Sequence, residues 1–260
     1  MKGIKLIVTD LDNTLLRRDK TISGYTAGLF RRVRESGIRI AFATSRCAQA
    51  SARFRRMIRP DIEITSGGAI ATMNGEVLFR AAIDLETASA IIGDLRKNEN
   101  VLQITVDTER HYFNSKPVDK SWVGWADYGD AVTTDFAEPL PVPDVLKISP
   151  LVTGAETLYS ILSKYPSVDA LNFSGEDWYQ IKSREASKEK AIAEVCGRLG
   201  IAMRNVAAFG DDCNDVEMLR GCGVGVAVAN AIDEVKAAAD AVCGDCDGDG
   251  VAKWIAENIG

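Results

Sequence analysis

Two aspartates separated by one residue, Asp10 and Asp12, follow directly on an apolar run in the stretch IKLIVTDLDNTLL. A pair of this kind on its own is more often the solvated end of a strand than a reactive site. Several carboxylates fixed close together, however, repel one another unless a cation lies among them. Oxygen ligands alone suit Mg²⁺, so the chemistry depends on whether other parts of the chain bring further acids or hydroxyls.

Polar side chains also end two other apolar runs that have the composition of buried parallel strands. Thr44 ends IRIAFAT, and Asp211 ends NVAAFGD, with Asn214 and Asp215 shortly after. Ligands of parallel α/β sheets bind beyond the carboxyl ends of the strands, which predicts one shared rim. Lys188, in the first turn of a predicted helix, adds positive charge at a natural anion site. Because Mg²⁺ commonly bridges carboxylates and phosphoryl oxygens, the set indicates a phosphate-bearing substrate.

Four motifs carry a family resemblance: DLDNT (residues 10–14), FATSR (42–46), SKEKA (187–191) and GDDCNDVEML (210–219). In these the chain resembles the haloacid dehalogenase-like (HAD) phosphohydrolases, in particular the Cof-type subfamily with a large cap between the second and third motifs. The stretch DGDGVAKWI near the end is similar to the closing helix of that subfamily. The DxD pair alone is weak, whereas four motifs in the family order are specific.

The resemblance implies a role for each residue of the rim. Asp10 is implied as the nucleophile that attacks phosphorus, and Asp12 as the general acid and later the base. The implied Mg²⁺ ligands are Asp10, Asp12 through its main-chain carbonyl, Asp211 and Asp215, the last binding through a water or supporting Lys188. The implied phosphate ligands are Thr44, Ser45, Lys188 and Asn214. Arg46 is left open between contact with the substrate and pairing with an acid.

Two departures from the family pattern are visible in the sequence. Ser45 stands where the second motif commonly has glycine, but its main-chain N–H can still serve a phosphate. The chain reads SGGA at residues 66–69, where the family often has SNGA. We expect this second departure to alter substrate contacts near Gly67 and to leave the phosphate chemistry unchanged.

The order of elements predicts an α/β fold with a Rossmann-like three-layer core around a parallel sheet, plus an inserted α+β cap domain. Continuous apolar strands alternate with helices in residues 1–81 and 185–260, which we expect to form one discontinuous catalytic core. Residues 82–184 mix helices with closely spaced strands and form the predicted cap. Asn74-Gly75 predicts a hairpin. Within the cap, we expect a helix over residues 118–127 and a proline-rich loop over residues 138–144.

Composition excludes several classes of partner. The chain has 260 residues, a net charge of −6 and only one histidine. This charge disfavours nucleic-acid binding, and the basic run at residues 53–59 is interpreted as a solvated helix face. Without an apolar run of membrane-spanning length or a signal peptide, we expect a cytoplasmic protein that binds no membrane. A monomer or weak homo-oligomer is expected.

The cysteines and the C-terminal acids do not indicate another metal site. Cys243 and Cys246 form a single CxxC pair, and a zinc site needs a second pair or nearby histidines. The run DCDGDG at residues 245–250 is similar to the start of a calcium loop, but Ala256 stands where that loop needs a bidentate acid. His111, in a strand-like stretch, is interpreted as a surface or packing residue.

The resulting hypothesis is a Mg²⁺-dependent phosphatase for small phosphomonoesters, such as sugar phosphates or related metabolites, working through an aspartyl-phosphate. A phosphomutase or phosphotransferase on hexose phosphates is the alternative within this superfamily. A non-catalytic metabolite sensor is the alternative from another class, although it would not need both Asp10 and Asp12. The sequence does not rank the cap residues that choose the substrate, for which the candidates are His111, Trp122, Trp125 and Trp178.

Overall fold

The computed structural model describes residues 3–117, 128, 131–172 and 177–259. In chain order the strands are β1 (Leu6–Thr9), β2 (Arg39–Ala43), β3 (Ile62–Thr65), β4 (Ile70–Met73), β5 (Glu76–Arg80), β6 (Ile83–Asp84), β7 (Val101–Asp107), β8 (Tyr112–Asn114), β9 (Val132–Thr133), β10 (Asp144–Val145), β11 (Lys147–Val152), β12 (Val168–Asn172), β13 (Tyr179–Ser183), β14 (Val206–Gly210), β15 (Val224–Ala227) and β16 (Ala241–Val242). The α-helices are α1 (Gly24–Glu35), α2 (Ala48–Ile58), α3 (Leu85–Arg96), α4 (Ala155–Leu162), α5 (Lys188–Leu199), α6 (Val216–Gly221), α7 (Asp233–Ala238) and α8 (Gly250–Asn258). The predicted helix over residues 118–127, with Trp122 and Trp125, lies outside the described residues.

The larger sheet has the strand order β16-β15-β14-β1-β2-β3-β4-β5. The strands from β16 to β3 run parallel, whereas the β3–β4 and β4–β5 pairings are antiparallel. Leu6, Ile7 and Val8 of the central β1 are at most 1% exposed, because the sheet is covered on both faces. The predicted hairpin is confirmed, with positive φ at both Asn74 and Gly75.

The smaller sheet, with the order β12-β13-β11-β7-β8-β9, is built from residues 101–183 and is antiparallel except for the β8–β9 pair. Helices α3 and α4 pack on it around a second apolar cluster that includes Ile91, Ile148 and Ile181. The predicted fold class, a Rossmann-like α/β core with an inserted α+β unit, is confirmed. The division of the chain at residues 82 and 184 stays a prediction.

The proline-rich stretch leads into β10, which forms a short two-stranded ladder with β6. Residues 138–143 form neither helix nor strand, as predicted, and β10 then pairs with β6 in an antiparallel ladder of two residues. The sequence pattern does not show this ladder because two residues carry no readable alternation. Arg80 reinforces the pairing from β5 by binding Asp144 through Nε at 2.9 Å.

The C-terminal acidic run is held by arginines from the first loop of the chain. Arg18 binds Asp245 at 2.9 Å and also Asp247, and Arg17 binds Asp249 at 3.1 Å.

The cysteines of the chain, including the CxxC pair, are free thiols. No helix in the described part of the chain is long and apolar enough to cross a membrane. His111 is exposed, as predicted for a surface residue.

Candidate active site

The carboxyl ends of three neighbouring strands carry the predicted reactive groups. β1 pairs with β14 on one side and β2 on the other, so their ends form one edge of the sheet. Asp10 follows β1, Thr44 follows β2 and Asp211 follows β14. The chain then turns sharply at Leu11–Leu15, where Asn13 has a φ of 56°. Asparagine tolerates this left-handed backbone better than most residues.

Lys188 joins this edge from the first turn of α5. The Ser187 hydroxyl caps the helix by accepting a hydrogen bond from the Lys190 N–H at 3.0 Å. The Lys188 side chain is 1% exposed, and its Nζ lies 2.7 Å from Asp10 Oδ1 and 2.6 Å from Asp215 Oδ1. Burial alone would lower the pKa of Lys188, but the two carboxylates hold that pKa above its ordinary value. Among the described residues these two carboxylates are the hydrogen-bond partners of the ammonium group, which leaves one of its three donors for a ligand.

Gly68 permits the helix start to come this close to the loop after β3. Its φ is +90°, and a Cβ there would lie 2.2 Å from the carbonyl carbon of Ser187. No side chain fits at that distance, so the close approach of the loop and helix depends on glycine.

Asp10, Asp211 and Asp215 place carboxylate oxygens within 4.8 Å of one another. Burial raises the pKa of Asp10 to about 7, because the lowering effect of Lys188 is partly cancelled by the charges of Asp215 and Asp12. Burial, followed by the charges of Asp10 and Asp215, raises the pKa of Asp211 to about 8. The single ammonium of Lys188 therefore does not neutralise this cluster.

Asp215 is fully buried, and both of its carboxylate oxygens have partners. Oδ1 binds Lys188, while Oδ2 accepts hydrogen bonds from the main-chain N–H groups of Asp211 at 3.0 Å and Asp212 at 3.3 Å. This arrangement suits a group that fixes Lys188 and the loop after β14. The predicted contribution of Asp215 to the metal site, through a bound water, stays a prediction.

The side chain of Asp12 has different partners from those of Asp10. Its Oδ2 accepts a hydrogen bond from Arg46 Nε at 2.6 Å, and its Oδ1 accepts one from Arg46 Nη2 at 2.8 Å. Lys20 Nζ lies 2.9 Å from the same Oδ1. Burial acts to raise the pKa of Asp12, but Arg46 and Lys20 outweigh it and lower that pKa to about 2. Of the two roles left open for Arg46, the structure shows the pairing with an acid.

Arg46 is itself firmly held. It is 7% exposed, its Nη1 donates to the Ala50 carbonyl at 3.3 Å, and its guanidinium carbon lies 5.0 Å from the centre of the Phe54 ring. The Arg46 main-chain N–H donates to Thr44 Oγ1 at 3.2 Å, which places the predicted phosphate ligand of β2 beside this pair. Sequence reasoning did not find Lys20, because nothing in its loop indicates a contact with Asp12.

Ser45 connects the two predicted phosphate-binding loops with the smaller sheet. Its Oγ accepts a hydrogen bond from Asn214 Nδ2 at 2.8 Å and lies 3.4 Å from Gln180 Oε1 of β13. Its main-chain carbonyl accepts a hydrogen bond from Lys147 Nζ of β11 at 2.6 Å. Ser45 and Asn214 are thus in contact, as the shared rim predicts.

Three polar residues of the smaller sheet that the sequence reasoning missed reach this edge, namely Lys147, Gln180 and Lys182. Lys147 also binds Asp107 at 3.0 Å, and Lys182 Nζ donates to the Gly67 carbonyl at 2.7 Å. A signal for them exists in the sequence. Lys147 stands at the start of a largely apolar strand, and the alternation in YQIKS puts Gln180 and Lys182 on one face with Ile181 on the other.

A sequence profile of one protein family, described as haloacid dehalogenase-like hydrolase, matches residues 7–255. The chain belongs to this family. The matched range includes all four motifs and the smaller sheet, so the resemblance extends over nearly the whole chain. The predicted Cof-type relationship is confirmed, as is the predicted enzyme class of a HAD-type phosphoric monoester hydrolase.

Relatives of this haloacid dehalogenase-like hydrolase are similar over their full lengths. A 5-amino-6-(5-phospho-D-ribitylamino)uracil phosphatase of Bacillus subtilis strain 168 is 27% identical, covering 97% of this chain and 94% of the relative. A pyridoxal phosphate phosphatase of Escherichia coli strain K12 is 28% identical and covers 98% of both chains. The solved structure of a HAD subclass IIB sugar phosphatase has a TM-score of 0.81 at 26% identity, covering 97% of this chain and 98% of that one.

Hydrolases of this family generally use a divalent metal ion, and the acidic cluster fits one. Asp10 is buried and Asp211 partly buried, and burial together with neighbouring carboxylates raises the pKa of both. Such oxygen ligands suit a hard divalent cation. Because the Asp12 carboxylate faces Arg46, its main-chain carbonyl is the part of that residue left for the predicted metal site.

Proposed function

We propose that this haloacid dehalogenase-like hydrolase cleaves small phosphomonoesters through an aspartyl-phosphate on Asp10, with Mg²⁺ as its metal ion. The observation that carries the proposal is the cluster of Asp10, Lys188, Asp211 and Asp215 at the carboxyl edge of the larger sheet, in which only Asp211 is partly rather than fully buried. It combines a carboxylate nucleophile with the positive charge that phosphoryl transfer needs. The phosphatases among the relatives support the same reaction.

In the first step, an oxygen of the Asp10 carboxylate attacks phosphorus and the bond from phosphorus to the alcohol oxygen breaks. A proton from Asp12 goes to the departing oxygen. In the second step, water attacks the phosphorus of the aspartyl-phosphate, Asp12 takes a proton from that water, and the bond to Asp10 breaks. The product is inorganic phosphate, and both carboxyl groups return to their starting states.

The other rim residues hold and neutralise the phosphoryl group. Mg²⁺, held by Asp10, the Asp12 carbonyl and Asp211, with Asp215 as an indirect support, would supply positive charge to the phosphoryl oxygens. The third donor of Lys188 and the polar groups of Thr44, Ser45 and Asn214 would bind the same oxygens. Arg46 acts on the reaction through Asp12.

The substrate enters beneath the smaller sheet. We propose that residues 1–81 and 185–260 form the catalytic core and that residues 82–184 form a cap that closes over it. Contacts from Lys147 and Gln180 to Ser45, and from Lys182 to Gly67, support this role. Closure of such a cap excludes water and selects the substrate. Small phosphate esters of sugars or related metabolites fit this arrangement.

Phosphate release from a panel of sugar, nucleotide and cofactor phosphates, with Mg²⁺ or with a chelator, tests the proposal. We expect Mg²⁺-dependent release that the Asp10→Asn variant loses by at least about 10³-fold, because the nucleophile is gone. Asp233→Asn, which removes an exposed carboxylate from α7, is the matched control and should keep full activity. Near-normal turnover by Asp10→Asn would contradict the nucleophile assignment, and exchange between hexose phosphates without release would favour a mutase.

A further inference from the structure

Lys182 places an amine beside the candidate active site, and the proposed phosphoryl transfer gives this amine no role. Its partly buried side chain donates from Nζ to the Gly67 carbonyl at 2.7 Å, and it has no carboxylate partner among the described residues. Burial, followed by the charges of Lys188 and Lys147, lowers the pKa of Lys182 to about 7. A main-chain carbonyl compensates an ammonium group only weakly, so this cation lacks a counter-charge.

Lys147 lies on β11, the strand next to β13, and differs from Lys182 because it has a carboxylate partner. Its Nζ lies 3.0 Å from Asp107 Oδ2, and Ser66 Oγ donates to the same carboxylate oxygen at 3.0 Å. The charge of Lys147 is therefore already balanced within the protein. Its bond to the Ser45 carbonyl positions that loop rather than offering a binding site.

Gln180 lies beside Lys182 on the same face of β13 and also carries a polar group without a hydrogen-bond partner among the described residues. Its side chain is 0% exposed, and its Oε1 faces Ser45 Oγ at 3.4 Å. Its Nε2 is buried without a hydrogen-bond acceptor in the described part of the chain. A buried donor in this state destabilises the folded protein, and an acceptor on a ligand would satisfy it.

Gly67 makes room for both side chains. Its φ is +68°, and a Cβ there would lie 2.8 Å from Gln180 Oε1 and 2.9 Å from Lys182 Cδ. The glycine of the SGGA stretch and the pair on β13 therefore depend on each other. The sequence predicts that glycine at residue 67, in place of the family's asparagine, alters substrate contacts. The structure gives a physical reason for this prediction, because the Lys182 and Gln180 side chains fill the space beside Gly67.

We propose that Lys182 and Gln180 form a subsite for a second acidic group, a carboxylate or a second phosphate, on the part of the substrate that leaves as the alcohol. The inference rests on the proposed phosphatase function. Ser45 Oγ lies between Asn214 and Gln180, so the subsite adjoins the residues proposed to hold the transferred phosphoryl group. Its anion would accept hydrogen bonds from Lys182 Nζ and Gln180 Nε2.

Two substrate pairs of matched skeleton test the subsite. The first is 3-phosphoglycerate against glycerol 3-phosphate, and the second is fructose 1,6-bisphosphate against fructose 1-phosphate. We expect kcat/KM to favour the doubly acidic member of at least one pair by about tenfold or more, the value of a hydrogen bond to a charged group. The first pair tests whether the subsite binds a carboxylate, and the second tests whether it binds a second phosphate.

In the Lys182→Met variant we expect this ratio to fall by about tenfold, because the charge-assisted hydrogen bond is lost. Lys182→Arg should recover part of it. Lys164→Met is the matched control, since Lys164 is an exposed lysine after α4 that pairs with Asp94, and its ratio should equal that of the wild type. Equal losses on both members of a pair would contradict the subsite, because Lys182 would then act on the transferred phosphoryl group or on folding.

Binding measurements separate this inference from the proposed function. Calorimetric affinities of Asp10→Asn for 3-phosphoglycerate, glycerol 3-phosphate and the two fructose phosphates do not depend on turnover. A preference for an acidic partner that Lys182→Met removes would support the subsite even if phosphate release failed. Absence of a preference in both pairs would overturn it, even if the enzyme released phosphate from a generic aryl phosphate.

Discussion

Arg46 binds both carboxylate oxygens of Asp12, at 2.6 Å through Nε and 2.8 Å through Nη2. With Lys20 at 2.9 Å, this pair keeps the pKa of Asp12 at about 2 despite burial. At neutral pH the carboxyl is therefore ionised, which is the form that takes a proton from water. Donation to a leaving alcohol requires Asp12 to gain a proton, so substrate binding must first weaken its bonds to Arg46 and Lys20.

Replacement of Arg46 should shift the acid limb of the pH profile of kcat to higher pH. In Arg46→Gln, burial opposes ionisation with only Lys20 left to favour it, so the pKa of Asp12 rises. With p-nitrophenyl phosphate and saturating Mg²⁺, the leaving group needs no proton, and kcat reports Asp12 as a base. We expect the acid limb to shift upward by at least about one pH unit.

The matched control for this shift is Arg55→Gln, which removes an arginine of the following helix, α2, that pairs with Glu63. Its acid limb should coincide with that of the wild type. If Arg46→Gln raised only KM and left the limb in place, Arg46 would contact the substrate instead of controlling Asp12.

The metal-free protein should lose stability as pH rises. The pKa of Asp10 is raised to about 7 and that of Asp211 to about 8, so the folded state holds protons that the unfolded state has released. The free energy of unfolding in a chelator should therefore fall as pH rises from about 4 to about 8. Urea unfolding at several pH values measures this, and Mg²⁺ should restore more stability at pH 7 than at pH 5, because it competes with protons.

Asp211→Asn provides the control, because the amide has the same shape and no charge. Its metal-free stability should depend less on pH than that of the wild type, and Mg²⁺ should stabilise it less. A pH dependence that is the same in both proteins would show that these carboxylates are not the source.

The shared rim was predictable because it follows from topology. Once β1, β2 and β14 are parallel neighbours, their carboxyl ends must bring Asp10, Thr44 and Asp211 to one edge. The motif order also located Lys188 at a helix start, and the structure places it against Asp10.

The partner of Asp12 was not predictable in the same way. The direction of the Asp12 side chain depends on the tight turn after β1, where Asn13 has a positive φ, and the sequence pattern does not show where such a turn points its side chains. The contacts of Lys182 and Gln180 were missed for another reason. Alternation shows that they share a face of β13, but only the position of the smaller sheet over Ser45 and Gly67 shows what that face touches.

Loss of Lys188 should destabilise the protein as well as abolish turnover. In Lys188→Met the carboxylates of Asp10 and Asp215 stay buried without their counter-charge, which costs about 3–5 kcal/mol. Unfolding in urea measures the loss. Because Asp215→Asn removes one of the two orphaned charges, the double variant should be more stable than Lys188→Met alone.

Lys190→Met serves as the control, because Lys190 lies on the same helix and pairs with exposed Glu185. It should change the free energy of unfolding by less than about 0.5 kcal/mol. Equal stability of Lys188→Met and the wild type would mean that the protein compensates this cluster without the lysine.

The surroundings of Lys182 disfavour its positive charge. Lys188 and Lys147 disfavour the protonated amine, Asp169 and Cys213 favour it less strongly, and burial is the largest effect. A cation kept in such a place destabilises the folded state, and protein sites accept this cost where a ligand supplies the missing charge.

Lys182→Met should therefore raise stability while it reduces discrimination between substrates. The pKa of Lys182 is lowered from 10.5 to about 7 in the folded protein, so the folded state of the wild type gains stability as pH rises from about 7 toward 10.5. The gain from the substitution should be at least about 1 kcal/mol at pH 6.5 and should shrink by pH 9.5. Urea unfolding at the two pH values measures it, with Lys164→Met as the exposed control that should show no such trend. A loss of stability in Lys182→Met at pH 6.5 would mean that the lysine is already compensated within the protein, and would remove the reason to expect an acidic ligand beside it.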